Sequence, residues 1–177
     1  MKSNLEHMNS KHQHNGFIIR QLTLEDNEQM AEIIRLVSNE YGFSENEGYG
    51  VSDLAKKPLS HYYKNEVSGY WVIEYQGKLV GGAGISPIES NDVRTVCELQ
   101  KMYFLSNTRG LGLGQKLSEH CLNFAKMKGF THCYLETTAV LKGAYHLYKK
   151  LGFEEINQRI GNTGHSNCEI LMLKALL

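Results

Sequence analysis

Apolar residues recur along this chain in two rhythms. Alternation and short apolar runs mark strands, and spacings of three and four mark helices. Phe17-Ile18-Ile19-Arg20-Gln21-Leu22 predicts a first strand. Thr23 caps the next segment, with Asp26 three residues on as an approximate capping box. Met30, Ile33, Ile34 and Val37 keep helical spacing, so that helix buries one face and ends near Tyr41-Gly42. Residues 42–69 lose the rhythm, because Gly42, Gly48, Gly50 and Pro58 interrupt it. Within them, Ser52 to Lys57 suggests a short helix and Leu59 to Tyr63 a turn.

Tyr70 to Tyr75 predicts a strand, Gln76-Gly77-Lys78 a turn, and Leu79 to Ile85 its antiparallel partner. Gly81, Gly82 and Gly84 in that partner point to a bulge or a close approach of other atoms. Val93 to Leu105 is a long strand, followed by glycines and by a helical stripe of Leu117, Cys121, Phe124 and Ala125. Thr131 to Thr138 is a strand, and Ala144, Leu147, Tyr148 and Leu151 mark a helix over Lys142 to Leu151. Phe153 to Arg159 and Cys168 to Ala175 are two final strands. The order β-α-(α)-β-β-β-α-β-α-β-β predicts an α+β fold: a mixed, mostly antiparallel sheet, one β-α-β crossover and flanking helices. Residues 1–15 are polar and read as a disordered tail, which leaves 16–177 as a single domain.

Composition narrows the function classes. Lys+Arg 19 against Asp+Glu 19 gives a formal net charge of +0, without the basic excess of a general nucleic-acid binder. Cys97, Cys121, Cys133 and Cys168 form no CxxC pair and read as reduced thiols. The histidines show no HExxH and no spacing shared with cysteines, which argues against a metal. The polar N-terminus lacks a signal-peptide core, and no run reaches the roughly 18 apolar residues of a membrane span. The chain therefore reads as soluble and cytoplasmic, with neither membrane nor nucleic acid as partner.

Arg109-Gly110-Leu111-Gly112-Leu113-Gly114 joins the long strand to a helix. Strand, glycine turn and helix start together suit a phosphate group: glycines let a ligand reach the backbone, and the helix start offers unpaired N–H groups. A nucleotide P-loop needs GxxxxGK[ST], but Lys116 follows Gln115 and the glycine spacing is wrong. A dinucleotide fingerprint needs GxGxxG early in a β-α-β unit, whereas these glycines run as GxGxG after antiparallel strands. What remains is RxxGxG, at Arg109, Gly112 and Gly114. Together with Glu98 to Leu105 before it, and with Ala144-Tyr145-His146-Leu147-Tyr148-Lys149-Lys150-Leu151-Gly152-Phe153 later, the chain resembles the GNAT superfamily of acyl-CoA-dependent N-acetyltransferases over residues 17–175.

The resemblance implies a sheet splayed at the fourth and fifth strands, with acetyl-CoA as co-substrate and no metal. The pyrophosphate would rest on the amides of Arg109, Gly110, Leu111, Gly112, Leu113 and Gly114, and Gln115 would add a contact. The pantetheine would pair with Met102, Tyr103 and Phe104, and the Met102 amide would donate to the oxyanion. Glu98 is the candidate general base through water, with Glu136 second. Glu98 can equally be read as a salt-bridged strand-end carboxylate. Tyr148 is the candidate general acid, its ring packed in the core and its hydroxyl in the site. Leu141 stands where many members carry a cofactor-binding Asn. Lys142 reads as a solvated lysine and His146 as exposed.

The acceptor is a small-molecule or peptide amine. Tyr41, Tyr49, Tyr62, Tyr63, His165 and Asn167 are available to line its groove. Homodimerisation is compatible with the family, and no residue fixes it. The competing reading is a non-catalytic acyl-CoA-binding or sensing module, against which the retained Glu98 and Tyr148 speak.

Overall fold

The computed structural model describes residues 12–14, 16–45, 49–88 and 95–176. Most of the expected tail, and Val93 at the expected start of the long strand, lie outside them. Among the described residues, eight strands form one sheet: β1 (His12–His14), β2 (Phe17–Gln21), β3 (Gly69–Tyr75), β4 (Lys78–Pro87), β5 (Val96–Phe104), β6 (His132–Thr137), β7 (Glu154–Ile156) and β8 (Ile170–Ala175). Their order across the sheet is β1-β2-β3-β4-β5-β6-β8-β7. Neighbours run antiparallel except β5 and β6, which are parallel. The α+β prediction is what the chain builds, with the expected β-α-β crossover from β5 to β6 and a second from β6 to β7, which run parallel with β8 between them.

The α-helices among the described residues are α1 (Asn27–Glu40), α2 (Leu113–Met127) and α3 (Lys142–Lys150), and they flank the sheet. Among the described residues, no helix is long and apolar enough to cross a membrane. The entry to α1 is fastened at Asp26, whose Oδ2 accepts from the Thr23 amide at 2.8 Å and the Thr23 hydroxyl at 3.1 Å. The Arg20 guanidinium forks onto both oxygens of Asp26 at 2.6 and 2.8 Å and reaches Glu74 at 2.9 Å. One arginine thus ties β2 and β3 to the helix start.

The strands alternate their side chains between two cores. Tyr70 and Val72 meet Met30, Ile33, Ile34 and Val37 of α1. Trp71 and Ile73 meet Leu117, Cys121 and Phe124 of α2, and Tyr148 and Phe153 close that side. The Trp71 ring stands edge-on to Phe124, with centroids 4.7 Å apart. All four cysteines are free and buried.

The β4 glycines leave room for aromatic rings. A Cβ on Gly82 would lie 2.5 Å from Tyr70, and one on Gly84 would lie 2.6 Å from Tyr63. The bulge sits on the partner strand. Gly82 pairs with Tyr103 and Gly84 with Gln100, so Lys101 and Met102 together face Ala83. Lys101 takes a left-handed φ of 52° there. A bulge bends its strand and sharpens the twist. β5 and β6 have already parted before it: their pairing ends at Glu98↔Tyr134, and β6 continues against β8.

Candidate active site

The splay opens a cavity of about 490 Å³. That is the size of a small-molecule site. Its wall runs from the glycine turn, past Met102 and Phe104, to Glu98, with Tyr148 and His165 also lining it.

At one end lies the glycine turn. Gly110 and Gly112 take φ of 77° and 76°, left-handed values that a side chain would strain. Gly112 is the residue before α2, and its carbonyl accepts from the Lys116 amide at 3.2 Å. Among the described residues, no carbonyl outside α2 accepts from the amides of Gly110 to Gln115. A row of open N–H groups at a helix start is a fitting cradle for a phosphate. A Cβ on Gly114 would come within 3.2 Å of Leu147 on α3, so this glycine also lets the two helices approach.

Two residues expected at the cofactor bond elsewhere. The Arg109 amide, expected under the pyrophosphate, donates to the Ser106 carbonyl at 3.3 Å. The Arg109 guanidinium donates to the Phe104 carbonyl at 3.0 Å and pairs with Glu40 at 2.7 Å. It also lies over the Tyr41 ring, 5.7 Å from its centroid. Its side chain therefore anchors the turn to the end of α1. The Gln115 amide group donates to Glu119 and accepts from Lys150, each at 2.8 Å. Strand alternation sends the Tyr103 ring toward the α1 core. Burial pushes its hydroxyl up to about 12. Met102 and Phe104, one residue either side, pack toward α2.

At the other end sits Glu98, 5% exposed. Its Oε1 lies 3.4 Å from His165 Nδ1. His165 Nε2 lies 3.5 Å from Asp53 Oδ2, and Lys101 Nζ lies 2.7 Å from that same oxygen. Both histidine contacts are ion-pair distances rather than hydrogen bonds, and Nε2 is buried without a hydrogen bond. The Lys101 ammonium also donates to Gln100 at 2.6 Å and lies over the Tyr62 ring at 5.0 Å. Burial alone would raise the Asp53 pKa, but His165 and Lys101 outweigh it and hold the carboxyl well below its usual range. Burial would likewise lower His165, and the carboxylates of Asp53 and Glu98 raise it to about 9.

Glu136, the second base candidate, is otherwise engaged. Its carboxylate pairs with Arg159 and accepts from the Tyr134 and Thr163 hydroxyls, each at 2.8 Å. Tyr148 is 8% exposed, and burial raises its pKa well above the usual phenol value. Its ring meets Phe153 edge-on at 6.0 Å. Lys142 and His146 are exposed.

Asp53 and Lys101 escape a reading of the sequence. Asp53 falls in the arrhythmic stretch 42–69. Lys101 carries one signal, a lysine inside a strand that goes on to Met102-Tyr103-Phe104. A lysine at such a place needs a buried counter-ion.

A family model described as the acetyltransferase (GNAT) family matches residues 30–153. The chain is 48% identical to an uncharacterised N-acetyltransferase of Escherichia coli (strain K12), YjgM, over 90% of its own length and 95% of that protein's. Its fold is similar to that of an acetyltransferase from Streptococcus agalactiae, with TM-score 0.76 and 21% identity over 92% of this chain and 99% of the other. It is also similar to a GNAT acetyltransferase from Brucella melitensis solved in complex with acetyl-CoA, with TM-score 0.63 and 19% identity over 92% and 89%.

Proposed function

The chain belongs to the acetyltransferase (GNAT) family, and on that premise we propose that it moves an acetyl group from acetyl-CoA to a primary amine by direct attack within a ternary complex. The observation that carries this reading is one continuous cavity, which joins the open amides of the glycine turn to a buried carboxylate at the far side of a strand bulge. The amides from Gly110 to Gln115 would hold the pyrophosphate. The edge of β5 from Met102 to Phe104, beyond its last pairing with β6, would hold the pantetheine arm. Bound there, acetyl-CoA supplies an activated acyl group as a thioester.

The remaining work falls to the chain. A lysine-like amine, with pKa about 10.4, is mostly protonated at neutral pH and cannot attack. Glu98, directly or through a water, takes its proton. The Met102 amide donates to the oxygen on which charge develops. Tyr148, whose burial keeps its proton on through neutral pH, gives that proton to the departing sulfur. The engagement of Glu136 with Arg159 and two hydroxyls supports Glu98 over it as base.

The test is thiol release from acetyl-CoA across a panel of amino acids, polyamines, aminoglycosides and peptide N-termini, with wild type and Glu98→Gln. The expected outcome is turnover with at least one amine and a loss of about 100-fold or more in the variant. Binding of acetyl-CoA without release on any amine would favour the acyl-CoA-binding module.

A further inference from the structure

We infer that His165 is a positioning residue for the transfer: from the terminal loop it holds the Glu98 carboxylate in place on the cavity floor, backed by Asp53 and Lys101. This rests on Glu98 acting as the base.

The loop between β7 and β8 brings His165 in under restraint. Arg159, held on β6 by Glu136, donates to the His165 carbonyl at 3.1 Å and to the Cys168 carbonyl at 2.8 Å. The Thr163 hydroxyl, also bound to Glu136, accepts from the His165 amide at 3.3 Å. The Cys168 amide returns to the His165 carbonyl at 3.1 Å. The backbone on both sides of the ring is thus fixed to the strand that faces β5 across the splay. The ring is 7% exposed and stands between Glu98 and Asp53.

Charge explains what the ring does there. The groups that face it are Glu98 and Lys101 on β5 and Asp53 on the Gly50–Ala55 turn. The Tyr103 hydroxyl lies close by, since a Cβ on Gly50 would be 3.1 Å from it and 4.0 Å from His165 Nε2. Tyr62 lies near Asp53, and the buried Tyr63 hydroxyl lies near both carboxylates. Two carboxylates meet one ammonium in this set. A neutral imidazole would leave a buried negative charge uncompensated, while an imidazolium makes the signs even. With the ring charged, Glu98 has a fixed counter-ion and a fixed rotamer, ready to accept the acceptor amine's proton. In that step the amine N–H bond breaks, its proton goes to Glu98, and His165 keeps its own.

The test is the pH profile of kcat, with acetyl-CoA and the fastest amine of the panel, for wild type, His165→Gln, Asp53→Asn and Glu98→Gln. In wild type an alkaline limb is expected near the raised value of about 9. Asp53→Asn should move that limb down by about one unit. His165→Gln should remove the limb and lower kcat at least about tenfold, with KM for acetyl-CoA within about twofold of wild type. A His165→Gln profile that superimposes on wild type, while Glu98→Gln is inactive, overturns this inference alone. A fully active Glu98→Gln overturns the base assignment and this inference with it. A second measurement needs no variant of His165. Its ring nitrogens, followed by NMR in the whole protein, should titrate near 9 and drop by about one unit in Glu98→Gln. A midpoint near the ordinary 6.5 in both proteins overturns the inference.

Discussion

Lys101 carries two unfavourable features at one position, a left-handed backbone and an ammonium removed from water. The first costs about 1 kcal/mol in a non-glycine residue. The second is tolerable only because Asp53 stands 2.7 Å away. Asp53→Ala should therefore destabilise the protein by about 3 kcal/mol, since it leaves the lysine buried and unpaired. Urea unfolding would show this as a lower midpoint at unchanged slope. The pH dependence of stability follows from the imidazole. Folding raises the His165 pKa from 6.5 to about 9, so its contribution is complete below pH 6.5 and is lost as pH rises through 9. Urea midpoints from pH 6.5 to 9.5 should fall in wild type and flatten in His165→Gln. Asp53 titrates in the opposite sense: its depressed pKa contributes above its usual value and is lost only in strong acid. At Tyr148, replacement by Phe keeps the packing against Phe153 and removes the hydroxyl. It should lower kcat about tenfold or more and leave KM for acetyl-CoA nearly unchanged. An unchanged kcat would reduce Tyr148 to a core residue.

The glycine turn behaves as a unit of backbone. Gly112 faces open space, with no atom within 4 Å of a built Cβ, so Gly112→Glu should leave the protein folded at a cost of about 1 kcal/mol for its left-handed φ. Its carboxylate would meet the phosphates, and calorimetry should find acetyl-CoA affinity reduced at least about 100-fold. This turn was legible in the sequence because its information is local: glycine spacing, an apolar run before it and a periodic helix after it. The helices α1 and α2 were legible for the same reason. The bulge was not. Lys101 is bent by its neighbours, with the Tyr70 hydroxyl donating to its carbonyl at 2.8 Å and Asp53 holding its head, and neither partner is near in sequence. Residues 42–69 resisted reading because their order is borrowed. Asn27 on α1 bonds both the amide and the hydroxyl of Ser60, and the Tyr62 hydroxyl donates to the Asp53 carbonyl. The carboxylates were only half readable: the resemblance put Glu98 first and Glu136 second, while the partners of each, His165 for one and Arg159 for the other, come from distant segments.

Across the molecule, the sheet divides the interior into an α1 side and an α2 side, and the cavity lies where β5 and β6 part between them. The cysteines lie inside. A thiol reagent should therefore react slowly with the native protein and reach all four sulfurs after unfolding in urea, so that CoA release can be followed continuously with the reagent present. Behind the cavity wall, Asp53, from the stretch before β3, meets His165, from the loop before β8. Contacts between such distant segments close the largest loops and are the slowest to form. The imidazole signal is thus a clock for refolding: His165 can titrate near 9 only after the chain's final loop has docked, so that signal should return with or after the last strand, never ahead of it.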